Sequence, residues 1–215
     1  MEHVNPFDHY ATVYDDWFEN RGELIFDIEV RAFRQVLDIL PEPWIEIGVG
    51  SGRFASALGI TTGLDSSVKM LEIAAGRGIR TYLAGAEKQP FAPSSFGTAF
   101  LIVTLCFIKT PSATLQEIRR ILMPGGKLVV GIVPKGSPWG NFYKQQKAKH
   151  HHLYKHATFY SYDELTEILT DTGFIIEQTV STLFQKPGRV SRMEKPRTGF
   201  FPDAGFTIVV AGNNK

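Results

Sequence analysis

Residues 46–52 read Glu46-Ile47-Gly48-Val49-Gly50-Ser51-Gly52, an acidic residue followed by glycine at every second position. The residues around this run complete a local pattern, since Trp44–Ile47 has the character of a short strand and Phe54–Leu58 begins a helix. Glycines at this spacing allow a sharp turn out of a strand and a close approach of backbone N–H groups to a ligand. The stretch therefore predicts a strand–loop–helix unit that binds a cofactor.

The same alternation of strands and helices continues along the chain. The apolar pattern predicts a helix from Phe26 to Leu40, and Thr110 and Pro111 supply a capping hydroxyl and a first-turn proline for another. The predicted strands are 44–47, 61–65, 79–83, 98–105, 127–133, 174–180 and 206–210. This rhythm predicts the α/β class, with a Rossmann-like, doubly wound, mostly parallel seven-stranded sheet, helices on both faces and an antiparallel last strand.

Length and composition predict one domain spanning 1–215. We expect an N-terminal helical cap at 1–40, a lid or insertion at 134–160 and a long final hairpin loop at 181–205. The formal net charge of +1 gives no general attraction to nucleic acid or to an anionic membrane. A single cysteine excludes an internal disulfide, no signal peptide is recognised, and no apolar run is long enough to span a bilayer. We therefore expect a cytoplasmic protein that makes no membrane contact.

The glycine spacing bears on the identity of the cofactor. In the dinucleotide pattern G-x-G-x-x-G, a first glycine at Gly48 requires the third at position 53, which is Arg53. Asp65, at the end of the second strand, can still accept hydrogen bonds from both hydroxyls of a ribose. A ribose-bearing cofactor is predicted, and a nicotinamide-dependent oxidoreductase or nucleotide-binding module remains an alternative.

Several segments together resemble the class I S-adenosylmethionine-dependent methyltransferases, particularly the small-molecule group similar to the ubiquinone/menaquinone biosynthesis enzymes. Segment 46–52 looks like the family's first motif, 63–71 like its ribose segment and 85–91 like its adenine segment. Segment 115–128 is similar to the family's helix and turn before strand five, and the resemblance covers about residues 7 to 175.

The resemblance implies S-adenosyl-L-methionine as the cofactor. It implies that the three glycines shape the loop around the methionine moiety, that Glu46 orders this loop, and that Asp65 holds the ribose. The remaining implied contacts lie at the ribose and adenine, below the sulfonium and in the N-terminal segment that closes over the cofactor. The implied cofactor-binding residues are Glu46, Gly48, Gly50, Gly52, Asp65, Ser66, Met70, Ala86, Glu87, Thr104 or Leu105, and Tyr14.

The reaction implied is in-line methyl transfer to a small-molecule acceptor, whose reacting atom can be oxygen, nitrogen or carbon. A dedicated base is optional, because the cofactor supplies the reactivity. The candidates for a catalytic base are His151, His152 and Tyr14, although His150–His152 also fits a solvated lid. No metal site is predicted, because neighbouring lysines disfavour a divalent cation.

Two points stay open at this stage, a non-catalytic function and the role of a basic segment. The chain lacks the Asn/Asp-Pro-Pro-Tyr/Phe tetrapeptide of amino methyltransferases that act on nucleic acids and glutamine, so no nucleic-acid partner is expected. A non-catalytic S-adenosylmethionine-binding protein remains an alternative. The basic residues between 186 and 197 fit either a solvated surface or recognition of an acidic group.

Overall fold

The computed structural model describes residues 5–148, 155 and 157–215. The α-helices are α1 (Pro6–Asn20), α2 (Glu23–Phe33), α3 (Arg53–Leu58), α4 (Val68–Gly76), α5 (Pro111–Ile121), α6 (Pro138–Ala148) and α7 (Tyr162–Asp171). The strands are β1 (Trp44–Ile47), β2 (Thr62–Asp65), β3 (Arg80–Leu83), β4 (Phe96–Ile102), β5 (Leu122–Ile132), β6 (Phe174–Thr182), β7 (Arg197–Thr198) and β8 (Phe206–Asn213).

Within the described residues all strands join one sheet, in the order β3-β2-β1-β4-β5-β8-β6-β7. Strands β1 to β5 pair in parallel, and β8 is antiparallel to β5 and to β6. The predicted α/β class, mostly parallel sheet and antiparallel last strand are confirmed. Because parallel strands end at the same edge, the loops after β1, β2 and β4 meet there.

The predicted strand count of seven is corrected to eight among the described residues. The additional strand is β7, which has only two residues and pairs with Val180 and Ser181 of β6. A two-residue strand has no alternation that a sequence pattern could reveal.

The sheet is covered on both faces, as its apolar strands require. Along β4, Phe100 and Ile102 belong to one core cluster, whereas Ala99 and Leu101 belong to the other. The first cluster includes residues of α2, α3, α4 and α6, and the second includes residues of α5 and α7. Successive side chains of a strand point to opposite faces, so each face needs its own layer of helices.

Two local predictions are wrong in detail. The predicted helix from Phe26 to Leu40 is interrupted, because α2 ends at Phe33 and a separate 3-10 turn spans Leu37–Ile39. Thr110 does precede α5, but its side chain makes no capping hydrogen bond, whereas Pro111 occupies the first turn as expected.

Segment 134–160, interpreted from the sequence as a lid or insertion, contains α6. Trp139 of this helix is buried, and its indole Nε1 donates a hydrogen bond of 2.7 Å to the Gln185 carbonyl. This contact ties α6 to the long connection between β6 and β8. In the described part of the chain, no helix combines the length and apolar character needed to cross a membrane.

Candidate active site

A cavity of about 310 Å³ lies at the carboxyl ends of β1, β2 and β4. This volume is at the lower end of the range for small-molecule sites. Its lining includes Phe7, Tyr14 and Phe18 of α1 together with the glycine loop. Ten of the sequence-predicted residues also line it: Tyr14, Glu46, Gly48, Gly50, Asp65, Ser66, Met70, Ala86, Glu87 and Thr104.

The glycine loop adopts left-handed backbone conformations that L side chains rarely take. The φ angles of Gly48, Gly50 and Gly52 are 74°, 52° and 79°. A Cβ on Gly48 would clash with the Thr104 side chain, whereas a Cβ on Gly50 would meet no atom within 4 Å. The open space at Gly50 faces the cavity, so a ligand can approach the backbone there.

Gly52 lies outside the cavity lining, against α4. A Cβ on Gly52 would come within 3.1 Å of Ala74 Cβ. Gly52 therefore allows α3 to begin close to α4, and its contribution to a ligand site is to the shape of the loop.

Leu105 also lies outside the cavity lining, so the structure brings only Thr104 of this predicted pair to the cavity. The Leu105 side chain is completely buried in the second core cluster. Strand β4 ends at Ile102, three residues before the predicted end at Leu105. The turn that follows contains Val103 with a φ of 50°, a strained conformation for a β-branched residue.

The Thr104 side chain joins the loops that follow β4 and β1. Its Oγ1 donates toward the Gly48 carbonyl at 3.2 Å and the Ile102 carbonyl at 2.9 Å. Its hydroxyl hydrogen is therefore used by the protein backbone. Thr104 holds the glycine loop against the end of β4.

Glu46 is a buried carboxyl group at the base of the cavity. Only 2% of the residue is exposed, and its Oε2 has no hydrogen-bond partner among the described residues. Burial raises the pKa of Glu46 well above 4.5, the Ala55 backbone N–H lowers it, and the charge of Asp65 raises it. A buried oxygen without a partner is costly, so this position favours a ligand with a hydrogen-bond donor.

Asp65 is held by backbone N–H groups at the end of β2. Its Oδ2 accepts from Gly50 N at 2.9 Å, and its Oδ1 accepts from Ser67 N at 2.9 Å. Burial raises the pKa of Asp65, and these backbone hydrogen bonds act in the opposite direction. Each carboxylate oxygen retains a further lone pair that can accept a ligand hydroxyl.

The N-terminal helix α1 forms one wall of the cavity with an aromatic face. The rings of Phe7 and Phe107 meet edge to face at 5.0 Å between centroids, and those of Tyr14 and Phe18 meet at 5.3 Å. Sequence reasoning found Tyr14 and missed Phe7 and Phe107 as lining residues. The spacing of Phe7, Tyr14 and Phe18 along one helical face was the available signal.

The remaining catalytic candidates, His151 and His152, lie outside the described residues. Among the described residues, no group of three or more His, Cys, Asp or Glu side chains has the arrangement of a metal site. Among the described residues, the cavity is lined by the carboxylates of Glu46, Asp65 and Glu87.

Comparison with known proteins connects this geometry to a family. A family model described as "Methyltransferase domain" matches residues 45–130. A structure of an S-adenosylmethionine-dependent methyltransferase from Thermotoga maritima, described as a possible histamine N-methyltransferase, has a TM-score of 0.90 and 35% sequence identity, with coverage of 97% of this chain and 98% of that chain.

Two sequence relatives extend the comparison. An uncharacterized protein of Mycobacterium tuberculosis is 38% identical over 203 residues, which cover 94% of this chain and 71% of that protein. An O-methyltransferase of Pyrenophora dematioidea is 28% identical over 179 residues, with coverage of 71% of this chain and 64% of that protein. Together with the fold and the glycine loop, these similarities show that the chain belongs to the S-adenosylmethionine-dependent methyltransferases.

Proposed function

We propose that the cavity binds S-adenosylmethionine with its methionine end at Glu46 and Gly50, and that the enzyme methylates a small molecule at the aromatic end of the same cavity. The observation that carries this proposal is the buried, unpartnered Oε2 of Glu46 beside the open space at Gly50. Membership of the family implies the cofactor, and Glu46 and Gly50 form a site that fits its methionine end.

The residues at the base of the cavity fit the methionine moiety of the cofactor. An α-ammonium group is a triple hydrogen-bond donor, and beside it the Glu46 carboxyl group would release its proton and accept a charge-assisted hydrogen bond. The absence of a side chain at Gly50 leaves room for the ligand. The Gly50 backbone N–H donates to Asp65 Oδ2, which holds the loop against the end of β2. Gly48 and Gly52 permit the loop to adopt this shape.

The remaining cofactor contacts follow from the position of the lining residues. Asp65 is suited to the ribose hydroxyls, because its unused lone pairs lie where β2 ends. Ser66 and Met70 flank that position, and Ala86 and Glu87 follow β3 on the side expected to hold the adenine.

The chemistry of the reaction requires alignment more than protein-derived reactivity. The bound cofactor would supply an electrophilic methyl group on a positively charged sulfur. The enzyme must hold the acceptor in line and keep water away, and Phe7, Tyr14, Phe18 and Phe107 form an aromatic wall that suits both tasks.

The ionisable groups support an acceptor whose reacting atom already carries a free lone pair. In the described lining, all three carboxylates are assigned to the cofactor, so no carboxylate is left as a base for the acceptor, and Tyr14 is the sequence-predicted base candidate that still lines the cavity. A nitrogen acceptor such as an imidazole can react without prior loss of a proton, whereas a phenol needs a base. The T. maritima neighbour described as a possible histamine N-methyltransferase supports nitrogen, and the fungal O-methyltransferase favours oxygen as the second candidate.

Replacing Gly50 by alanine tests the cofactor site, with Gly59→Ala as the matched control. Both glycines have positive φ, 52° and 78°, and an added Cβ meets no protein atom within 4 Å at either position. A left-handed alanine costs about 1–2 kcal/mol, so both variants should lose a similar amount of thermal stability. Only Gly50→Ala places a methyl group in the cavity, and we expect it to weaken S-adenosylhomocysteine binding at least tenfold in calorimetry. Equal affinities in the two variants would rule out the proposed site.

The acceptor is tested by transfer of a labelled methyl group to a panel of small imidazoles, amines and phenols. We expect transfer to neutral nitrogen acceptors, with a rate that becomes independent of pH once the acceptor nitrogen is deprotonated. Transfer confined to phenols, with a rate that rises through the pKa of a protein group, would contradict the nitrogen assignment and support the oxygen one.

A further inference from the structure

Asp15 of α1 lies at the centre of a cluster of charged groups next to the cavity, but it is not among the lining residues. Its Oδ1 accepts from Arg53 Nε at 2.8 Å, and its Oδ2 accepts from Arg53 Nη2 at 2.9 Å. Arg77 Nη2 donates to the same Oδ2 at 2.7 Å. One carboxylate therefore receives hydrogen bonds from two guanidinium groups.

The two arginines connect Asp15 to the glycine loop. Arg77 Nη1 donates to the Ser51 carbonyl at 2.7 Å, so the arginine that contacts α1 also contacts the loop. Arg53 begins α3 directly after Gly52 and itself lines the cavity. The cluster thus joins α1, the glycine loop and the end of α4 through side chains that are each about a fifth exposed or less.

The other end of α1 is anchored near the proposed ribose position. Asp8 Oδ1 accepts from Ser67 Oγ at 2.6 Å and from Lys69 N at 3.2 Å. Asn5 Nδ2 donates to Ser66 Oγ at 2.9 Å. Helix α1 is consequently held both at its N-terminal turn and at Asp15.

The charge of Asp15 is needed to keep this arrangement in place. Burial raises the pKa of Asp15, but hydrogen bonds from Arg53 and Arg77 outweigh this effect and lower the pKa from 3.8 to about 2. Without that negative charge, two partly buried guanidinium groups would lie close together, and among the described residues the exposed Glu19 would be the remaining carboxylate paired with Arg53. Like charges at short distance repel most strongly where water is excluded.

We propose that Asp15 is a positioning residue that couples docking of α1 to cofactor binding, through Arg53 and the Arg77 contact with the Ser51 carbonyl. This inference rests on the proposed cofactor site. By linkage, docking of α1 strengthens cofactor binding, and cofactor binding strengthens docking of α1 by the same factor.

The binding test compares Asp15→Asn with Glu19→Gln. Glu19 contacts the same Arg53 at 2.6 Å, but its side chain is 63% exposed, so its ion pair should contribute little. We expect Asp15→Asn to lower the calorimetric affinity for S-adenosylhomocysteine at least fivefold, within the range of typical coupling between sites. Glu19→Gln should change it less than twofold, and Asp15→Glu should restore part of the loss. Equal effects of Asp15→Asn and Glu19→Gln would overturn the inference.

A second measurement uses the wild-type chain and reports on α1 directly. Trypsin can cleave after the exposed Arg21, at the end of α1, and after the exposed Arg189 in the connection between β6 and β8. In the wild type, we expect S-adenosylhomocysteine to slow cleavage at Arg21 by at least fivefold and cleavage at Arg189 by less. In Asp15→Asn, we expect the ligand to leave cleavage at Arg21 unchanged. Unchanged cleavage at Arg21 in the wild type would overturn the coupling even if the variant does not fold.

The two proposals fail in different ways. Wild-type affinity in Asp15→Asn together with weakened binding in Gly50→Ala would overturn the role of Asp15 and leave the cofactor site standing. Wild-type affinity in Gly50→Ala would overturn the proposed site itself.

Discussion

Glu29 lies on α2 with only 8% of the residue exposed. It has no hydrogen bond or ion pair with a described residue, and burial raises its pKa from 4.5 to about 8. A raised pKa in the folded state means that folding favours the protonated carboxyl group. The stability associated with this group is complete below pH 4.5 and is lost as the pH rises from 4.5 through about 8.

The size of this effect follows from the shift. A difference of 1 between the pKa values of the folded and unfolded states corresponds to about 1.4 kcal/mol, so the full difference for Glu29 amounts to about 5 kcal/mol. We expect the free energy of unfolding of Glu29→Gln to lie within about 1 kcal/mol of the wild-type value at pH 5 and to exceed it by about 3–5 kcal/mol at pH 9, because the amide has no charge to bury.

Urea unfolding followed by circular dichroism at pH 5, 7 and 9 measures the difference. Other buried acids, including Glu46 and Asp65, are present in both proteins, so their contributions cancel in the comparison. Asp27→Asn is the control, since it removes a carboxylate from an exposed position of the same helix. Stability curves of Glu29→Gln and wild type that run parallel from pH 5 to 9 would refute the reasoning.

Two further changes test the cofactor site and the contact between α1 and α4. Glu46→Gln should weaken S-adenosylhomocysteine binding about 10- to 100-fold, because a charge-assisted hydrogen bond is lost, and should reduce proton release on binding in calorimetry across buffers; unchanged affinity would contradict the role of Glu46. Ser67→Ala should lower the free energy of unfolding by about 1–2 kcal/mol, since the Ser67 hydroxyl accepts from Met70 N and donates to Asp8. Thr110→Ala is its control, because Thr110 makes no capping bond, and equal losses in the two variants would contradict the prediction.

The fold was predicted well where the signal is local. Strand β1 has the predicted bounds, and the loop that follows it has the left-handed glycines expected from their spacing. Ser161 and Glu164 have the spacing of a capping box, and both of its reciprocal hydrogen bonds are present at the start of α7. These features depend on neighbouring residues, so a short window of sequence contains the information needed.

The site was predicted in part, and its two errors, at Leu105 and at Arg53, have different causes. Leu105 is buried because β4 ends at Ile102, and the strained turn at Val103 that follows it is not apparent in an apolar run. Arg53 entered the sequence argument only as a missing glycine, although it both lines the cavity and binds Asp15. Contacts of this kind depend on how α1 packs across the loop.

The sequence by itself determined the strand–loop–helix unit at 44–58, the α/β class and, through resemblance, the cofactor. Backbone conformation and periodic burial are local properties, so glycine spacing and apolar patterns are sufficient for them. Only the tertiary structure decided that Asp15 meets Arg53 and Arg77, 38 and 62 residues away. The tertiary structure alone also decided that Glu46 Oε2 is buried beside the cavity without a hydrogen-bond partner among the described residues. The burial and the hydrogen bonds of a polar group depend on every element packed around it.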